Sequence, residues 1–319
     1  MSLQVKRVDE LPRRSMLEVL NACFPGWGGQ REFAWIFERP CGAQPADVFL
    51  ALADGEIAGL TALSYRRVLM EDGRHALMGI IGSSCTLPQF RGRGVFSAFV
   101  EATMERTASI GAQLYGAFVL KSNASFGRMM ASGCGDVPAL YGTCPRDQER
   151  EAAEQLVLRQ PASRAAALER LFQAREREQI RANRFVYSFD AWVNQMAVRP
   201  APTEVYHAGK AGEDCAWFLV ERWPDKLRVL EMWPGDSGSW LEVIGALNAL
   251  AVSEGKDVEW YVTDAYLQQL LRRWPGPRLE GSLVVTDLDR GALVRPREGE
   301  GERVAGASGS WFLQSGDRV

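Results

Sequence analysis

The sequence is poor in the residue types that build metal sites and disulfide frameworks. It has two histidines, His75 and His207, and neither lies near a cysteine or the other histidine at the spacing of metal ligands. Its six cysteines include no Cys-x-x-Cys pair, which is typical of free thiols in a reducing compartment. We therefore expect no metal centre and a cytoplasmic protein.

Long apolar runs and a strong charge excess are also missing. No uncharged stretch of about 20 apolar residues occurs, and the charged segment from Met1 to Arg14 lacks the apolar core of a signal peptide, so no membrane contact is predicted. Lys and Arg total 37, Asp and Glu total 40, and the net charge is −3. Because dedicated nucleic-acid binders carry a clear excess of basic residues, this balance disfavours a nucleic-acid partner.

What is present is the composition of a folded protein with about two domains. Apolar residues make up 46% and charged residues 24% of the chain, which is ordinary for a globular protein. At about 150 residues per domain, 319 residues suggest two domains.

Residues 1–144 alternate helix-like and strand-like segments. Apolar residues recur at helical spacing in 15–23 and around Phe33–Phe37, on either side of a turn at Phe24–Gly29. Further segments follow as strands over 47–53, 57–66, 76–86, 113–120 and 138–142, and as helices from Val95 and over 123–132. The order predicts a mixed α/β fold.

The rest of the chain divides into a connection and a second copy of this order. Residues 145–183 contain no glycine, are rich in Glu, Arg and Ala, and are interpreted as one or two solvent-facing helices. Residues 184–319 then repeat the first half, with strands over 204–209, 214–221 and 227–233, a helix over 238–254, a strand over 257–263, a helix over 265–273 and a strand over 281–287. We predict tandem domains over 1–144 and 184–319.

One segment, Thr86-Leu87-Pro88-Gln89-Phe90-Arg91-Gly92-Arg93-Gly94, lies between a predicted strand and a predicted helix. Two glycines one residue apart let the backbone curl and leave N–H groups in one concavity. The helix adds unpaired N-terminal N–H groups, and Arg91 and Arg93 add charge suited to phosphate. No carboxylate lies between Ala76 and Glu101, so the pattern predicts a diphosphate site, with a solvated basic turn as the alternative.

This segment resembles the pyrophosphate loop of the GNAT superfamily of N-acetyltransferases, whose motif is Gln/Arg-x-x-Gly-x-Gly/Ala. Gln89, Gly92 and Gly94 match the motif, and the flanking Thr86-Leu87-Pro88 and Val95-Phe96 fit the family as well. The resemblance implies transfer of an acyl group, usually acetyl, from coenzyme A to a primary amine. It also implies tandem GNAT-like domains, each a mostly antiparallel splayed sheet flanked by helices.

A wider pattern resembles acyltransferases associated with amino-sugar and polysaccharide biosynthesis. Asn123 begins a short helix as in the family, although Cys134 replaces the aromatic residue that usually follows it. Two further parts of the pattern are Trp35…Pro40-x-Gly42 and the closing Trp311…Gly316-Asp317.

In this fold the strand before the loop splays from its neighbour, and its free backbone groups pair with the pantetheine arm as an added strand would. The residues that the resemblance assigns to acetyl-CoA are Cys85, Thr86, Leu87, Arg91, Gly92, Arg93, Gly94, Val95, Phe96, Ser97 and Asn123. A backbone N–H on the splayed strand could stabilise the tetrahedral oxyanion.

The catalytic acid and base stay open. Met129 stands where many members carry a tyrosine that protonates the thiolate, and Ser83 stands where relatives often have an acidic residue. The candidate substitutes are Ser84, Tyr115, Ser125 and Tyr141, each of which also suits a strand or cap role. An acyl-cysteine on Cys85 is a further option, although no histidine lies near it in sequence to form the thiolate.

Trp27 and Glu32 are candidates for acceptor binding, with core packing and a solvated helix face as their respective alternatives. The favoured hypothesis is an acetyl-CoA-dependent N-acetyltransferase whose acceptor is a small polar amine, such as an amino sugar or a natural-product intermediate. One alternative is another donor, a longer acyl-CoA or an aminoacyl-tRNA. Another, motivated by the missing tyrosine, is a non-catalytic module that binds coenzyme A or a partner protein.

The second half lacks the phosphate signal. It reads Trp233-Pro234-Gly235-Asp236-Ser237-Gly238 at the equivalent point, where Asp236 would repel a diphosphate. We expect a degenerate copy that does not bind coenzyme A and that completes the acceptor pocket or forms a homodimer.

Overall fold

A computed structural model describes residues 2–10, 12–39, 44–146, 157–178, 180–210, 213–272, 276–288 and 310–314. Pro40 and Gly42 of the wider pattern, and Gly316 and Asp317 near its end, lie outside these residues.

Strands and helices alternate along the described chain. The strands are β1 (Leu3–Val8), β2 (Asp47–Ala53), β3 (Glu56–Leu69), β4 (His75–Thr86), β5 (Leu114–Leu120), β6 (Gly135–Cys144), β7 (Val157–Arg159), β8 (Arg184–Val186), β9 (Thr203–Lys210), β10 (Glu213–Arg222), β11 (Lys226–Pro234), β12 (Asp257–Val262) and β13 (Arg278–Asp287). The helices are α1 (Arg13–Cys23), α2 (Gln30–Phe33), α3 (Val95–Ser109), α4 (Ala124–Ala131), α5 (Arg164–Arg177), α6 (Phe189–Met196), α7 (Trp240–Glu254) and α8 (Ala265–Leu271). A π-helical turn, Ala34–Glu38, continues α2.

The chain forms two compact units, and each is discontinuous in sequence. The first unit comprises residues 1–137 and 282–309, and the second comprises 138–281 and 310–318. The chain changes unit within β6 and again within β13. The two units are defined by how compactly their residues pack, and this division does not test the predicted domain boundaries at residues 144 and 184, which stay predictions.

In the first unit the strands follow the order β1-β2-β3-β4-β5-β13. The pairs from β1 to β4 are antiparallel, whereas β4 and β5 run parallel. One core cluster joins α3 and α4 to one face of the sheet through residues such as Phe99, Met104 and Met129. A second cluster joins α1 and α2 to the opposite face, around Phe33 and Phe37.

The second unit repeats this plan with the order β6-β12-β11-β10-β9-β7. Its pairs are antiparallel except for β11 and β12, which are parallel. The α/β fold with mostly antiparallel sheets flanked by helices is therefore confirmed. None of the described helices is long and apolar enough to cross a membrane.

The connection differs from its prediction. The helix predicted there is present as α5, but Val157–Arg159 forms β7 because it pairs with β9 from Val157 opposite Gly209. α5 is also not merely solvent-facing, since Leu168, Leu171 and Ala174 are buried on one stripe. The short elements β1, β8 and α6 were not predicted.

Candidate functional site

The loop before α3 has the geometry of an anion cradle. Gly92 and Gly94 adopt φ values of +75° and +81°, a region that L side chains rarely occupy, so the double glycine is required by the backbone. A Cβ added at either glycine would have no heavy atom within 4 Å among the described residues, so the concavity above the loop is open.

The N-terminus of α3 opens into this concavity. The first intrahelical hydrogen bond runs from the Ala98 N–H to the Gly94 carbonyl, so the N–H groups of Val95, Phe96 and Ser97 precede it. Gly94 is the N-cap, no described side chain caps the helix, and its first turn has no acidic residue. The helix end therefore presents donors and a positive dipole end to a ligand.

Three arginines lie on the loop before this helix end or contact its first turn. Arg91 and Arg93 lie on the exposed loop, and Arg91 Nε donates to the Thr86 carbonyl over 3.3 Å. Arg128, from α4, donates to Ser97 Oγ over 3.1 Å. Sequence reasoning missed Arg128, because nothing in its spacing shows that α4 returns to the first turn of α3. The three guanidinium groups suit the charge and fork geometry of a diphosphate.

The strand before the loop separates from β5. Parallel pairing joins Met78 to Leu114 and Ile80 to Gly116, and the ladder ends there. Beyond it, Ile81–Thr86 and Ala117–Leu120 have no mutual pairing among the described residues. The predicted splay is present, and it opens toward the loop.

A bulge interrupts β4 inside the splay. Leu60 pairs with Cys85 and Ala62 with Gly82, so Thr61 faces both Ser83 and Ser84. Ser83 adopts a φ of +49°, which is strained for a residue with a side chain. Ser84 Oγ lies 2.6 Å from the buried Thr61 Oγ1, and Thr61 Oγ1 donates to the Gly82 carbonyl over 3.2 Å. Thr61 is a candidate site residue that sequence reasoning did not select.

Some backbone groups assigned to pantetheine are already engaged. The Leu87 N–H donates to the Ala58 carbonyl on β3 over 2.9 Å, so it is not free for the coenzyme. The Thr86 carbonyl accepts the Arg91 guanidinium. Pairing with the pantetheine arm would therefore use other backbone groups of β4, around the bulge.

Cys85 is a packed residue of the cluster under α1 and α2. It is 6% exposed, and burial, reinforced by the neighbouring Cys23, raises the pKa of its thiol to about 12. A thiol that stays protonated is a poor nucleophile, which argues against an acyl-cysteine. Of the described cysteines, Cys23, Cys85, Cys134 and Cys144 are free thiols, and Cys41 lies outside that part of the chain.

The predicted acceptor residues lie at the start of α2. Trp27 is half-buried, with its ring 6.2 Å from that of Phe37, and packs against the cluster that contains Cys85. Asn21 fixes the loop around Trp27, since Asn21 Nδ2 donates to the Gly28 carbonyl over 3.0 Å. Glu32 has a capping role, because its carboxylate accepts the Gly29 N–H at 2.7 Å.

The other catalytic candidates are scattered. Tyr115 is fully buried, its hydroxyl is 2.8 Å from Thr103 Oγ1, and burial raises its pKa far above the ordinary value, so it lies in the core and not in the splay. Ser125 and Asn123 lie at the start of α4, where Asn123 is the N-cap without a side-chain cap bond. Tyr141 belongs to the second unit, where its ring lies 4.7 Å from that of Tyr261. Met129 is fully buried.

The equivalent loop of the second unit is closed. Ser239 and Glu242 form a capping box at the N-terminus of α7, which places a carboxylate in the first turn. Asp236 pairs with Arg177, and the Gly235 N–H donates to the Cys215 carbonyl over 2.9 Å. The N–H groups of Ser239 and Glu242 at the start of α7 are thus occupied by side chains, whereas no described side chain caps α3.

The first of these two loops lies in a part of the chain that is similar to a known protein family. Residues 4–126, which run from β1 into α4, match the protein family described as "Acetyltransferase (GNAT) domain". No curated protein matches the chain in sequence.

Solved structures with the fold of the whole chain include proteins with and without an assigned activity. A protein of unknown function from Enterococcus faecalis, described as a probable N-acyltransferase, has a TM-score of 0.62 and 13% identity, over 92% of this chain and 74% of that one. A GCN5-related N-acetyltransferase from Kribbella flavida has a TM-score of 0.60 and 15% identity, over 93% and 74%. Saccharomyces cerevisiae N-myristoyltransferase with bound myristoyl-CoA has a TM-score of 0.61 and 10% identity, over 90% and 79%.

The match of residues 4–126 to a GNAT acetyltransferase family supports an acyl-CoA-dependent N-acetyltransferase with small-molecule substrates. The resemblance seen in the sequence and acyl transfer from coenzyme A as the reaction class are confirmed. The splayed end of β4, the loop and the start of α3 follow one another within the matched residues, and Arg128 lies just beyond them on α4. The individual site residues, the donor acyl group and the acceptor stay predictions.

Proposed function

We propose that this chain transfers the acetyl group of acetyl-CoA to the primary amine of a small polar acceptor, such as an amino sugar or a natural-product intermediate. The observation that carries the proposal is the uncapped N-terminus of α3, with Arg91, Arg93 and Arg128 around it, directly after the splayed end of β4. The match of residues 4–126 to an acetyltransferase family supports acetyl as the acyl group.

The residues present fit coenzyme A. The open concavity above Gly92 and Gly94 suits a diphosphate, and the separated strands offer backbone groups to the amides of the pantetheine arm. The coenzyme supplies an activated acyl thioester with a good leaving group. The chain itself has to hold that arm, orient the amine and supply a donor to the developing oxyanion.

The hydroxyl pair at the bulge is arranged to accept a hydrogen bond. Thr61 has one hydroxyl hydrogen, and when it is donated to the Gly82 carbonyl at 3.2 Å, Ser84 is the donor and Thr61 the acceptor in the 2.6 Å contact. The lone pairs of Ser84 Oγ then face a donor, which suits the N–H groups of an amine better than a thiolate. We assign Ser84 to orienting the acceptor, and water to proton removal.

A polar acceptor is favoured by the groups around the splay. Ser83, Ser84 and Thr61 bring hydroxyls to the bulge, and the sequence pattern resembles enzymes of amino-sugar and polysaccharide biosynthesis. Trp27 adds one aromatic surface at the loop between α1 and α2.

The experiment incubates the full chain with acetyl-CoA and a library of amino sugars, amino acids and polyamines, and reads acylated products by mass spectrometry. An acetylated amino sugar among the products supports the proposal. Products formed only with longer acyl-CoA donors would show that the chain transfers a longer acyl group instead of acetyl. Calorimetry with acetyl-CoA is expected to give one equivalent per chain. A second equivalent would contradict a closed loop in the second unit.

A second candidate function is favoured by Met129. Because this buried side chain occupies the position of the usual acid, a non-catalytic module that binds coenzyme A is the competing proposal. Binding of acetyl-CoA without product from any amine, and without release of free coenzyme A thiol, would select it.

The proposal includes a cytoplasmic location and leaves the homodimer as a further hypothesis. The free thiols among the described cysteines support a reducing compartment. Light scattering of the purified chain tests the dimer.

A further inference from the structure

The second unit has a splay of its own. β11 and β12 pair in parallel from Lys226 opposite Asp257 to Arg228 opposite Glu259, and the described ladder ends there. The two strands then diverge as β4 and β5 do in the first unit. The separated stretches are Val229–Pro234 and Trp260–Val262.

A short carboxyl-terminal segment, Ser310–Gln314, lies along the end of this splay. Thr263, directly after β12, forms two hydrogen bonds with the backbone of Leu313. Its N–H donates to the Leu313 carbonyl over 3.2 Å, and its Oγ1 accepts the Leu313 N–H at 2.8 Å. Thr263 Oγ1 also donates to the Trp311 carbonyl over 2.8 Å. Asn183 pairs with the other edge of the segment, donating its N–H to the Ser310 carbonyl over 2.8 Å.

Gln314 joins the two walls of the splay. Its backbone forms an antiparallel bridge with Val262 at the end of β12. Its side-chain amide pairs with β11, where Oε1 accepts the Met232 N–H at 2.7 Å and Nε2 donates to the Met232 carbonyl over 3.0 Å. A primary amide thus takes both backbone groups that the divergence of the strands leaves without a strand partner.

The segment is buried like a ligand in a formed cleft. Trp311, Leu313 and Gln314 are 1%, 1% and 2% exposed. The Phe312 ring lies 5.2 Å from that of Trp233 and 5.9 Å from that of Trp240, at the junction of β11 and α7. Apolar contact and paired amides are the two features by which an extended peptide binds a sheet edge.

We propose that the splay of the second unit is a peptide-binding cleft and that Ser310–Gln314 is its intramolecular ligand. The segment lies at the diverging strands of the second unit, where its backbone pairs with Val262 and the side chain of Gln314 supplies the amide pairing to Met232. The cleft selects two aromatic residues, an aliphatic residue and a glutamine in an extended peptide. This inference does not depend on the proposed function, because no residue of the GNAT domain carries it.

The test uses the full chain with Trp311→Ala and Gln314→Met together, which weakens the segment and leaves the cleft unchanged. The probe is a synthetic peptide with the natural sequence of residues 308–317, Ser-Gly-Ser-Trp-Phe-Leu-Gln-Ser-Gly-Asp. Hydrogen exchange read by mass spectrometry is expected to be about tenfold faster over 227–234 in this variant. The natural peptide should restore the slow exchange, and the same peptide with Met in place of Gln should not.

The matched control is Gln269→Met, the same substitution at an exposed position on α8, which should leave exchange over 227–234 unchanged. Residues 95–120 of the first unit report whether the rest of the chain stays folded. If they also lose protection in the double variant, the single variant Gln314→Glu decides, with faster exchange expected over 227–234 alone. Unstructured exchange over 310–314 in the natural chain, or equal action of the two peptides, would overturn the proposal.

Discussion

Arg128 and Ser97 meet at the first turn of α3, where Arg128 Nη1 donates to Ser97 Oγ over 3.1 Å. This contact brings a third guanidinium to a helix end that already has Arg91 and Arg93. We expect Arg91→Ala with Arg93→Ala to weaken acetyl-CoA binding at least tenfold, a loss of about 1.4 kcal/mol. Arg128→Ala alone should weaken it in the same direction, because each arginine adds charge at the diphosphate. Calorimetry measures both, with the exposed Arg67→Ala as the control, and unchanged affinity would refute the loop assignment.

A second prediction concerns the backbone of the loop. Gly94→Ala places a side chain at a φ of +81° with open space around it, so its cost is conformational, about 1–2 kcal/mol. We expect a lower melting temperature and weaker acetyl-CoA binding. Gly127→Ala, inside α4 and also without a neighbour within 4 Å, should instead stabilise the chain by about 0.5–1 kcal/mol. Equal effects of the two would contradict the assignment of strain to Gly94.

The hydroxyl pair gives a third prediction, which rests on the proposed function. Thr61→Val keeps the shape of the buried side chain but removes the acceptor of the Ser84 hydroxyl. We expect Thr61→Val and Ser84→Ala to raise the KM for the amine while the affinity for acetyl-CoA stays as in the natural chain. Steady-state kinetics and calorimetry separate the two effects. A loss of acetyl-CoA affinity in both variants would show that the pair supports β4 and does not orient the acceptor.

A fourth prediction concerns stability against pH. The Asp47 carboxylate binds Arg106 at 2.7 Å, Arg7 at 3.1 Å and the Tyr65 hydroxyl at 2.7 Å. Burial raises the pKa of Asp47, but the hydrogen bonds from Arg106, Tyr65 and Arg7 outweigh it, so the pKa is lower than the ordinary value. A lowered pKa means that the stabilisation is complete above the unfolded-state pKa, about 4, and is lost as the pH falls through the folded-state pKa.

Asp47→Asn should therefore reduce the free energy of unfolding by about 2 kcal/mol at pH 7, and the difference from the natural chain should shrink below pH 4. Urea unfolding at pH 7, 5 and 3 measures it. Asp225→Asn removes the same charge at an exposed position and serves as the control. A difference in the free energy of unfolding that grows as the pH falls would contradict a lowered pKa of Asp47.

Met129 gives a fifth prediction. Its side chain is fully buried among the residues that α3 and α4 pack on the sheet, so a tyrosine there enters the core and does not reach the splay. Met129→Tyr should cost about 1–3 kcal/mol of stability through overpacking and should not raise the rate of acetyl transfer. Met130→Tyr, at a neighbouring position that is 37% exposed, should be nearly neutral. A faster Met129→Tyr enzyme would show that the side chain does reach the thioester.

The parts that could be predicted from the sequence are local. The glycines of the loop have fixed conformational needs, and strand and helix periods are readable, so the order of elements around α3 could be predicted. The roles of Arg128, Thr61 and Gln314 could not be predicted. Each of these side chains contacts a residue that is distant in the sequence or lies across a bulge. The burial of Tyr115 and Met129 could not be predicted either, because the sequence pattern around them does not show which face of the sheet they pack against.

Because the first unit is built from two separate parts of the chain, it cannot be completed until both parts have been synthesised. The last strand beside β5 comes from residues 282–287, and it packs so tightly that a Cβ on Gly116 would lie 2.2 Å from the Val284 carbonyl oxygen. A ribosome therefore has to translate the whole of 138–281 before the coenzyme-binding unit receives this strand. Until then the edge of β5 lacks its partner strand, and an unpaired strand edge is open to wrong pairing with other segments.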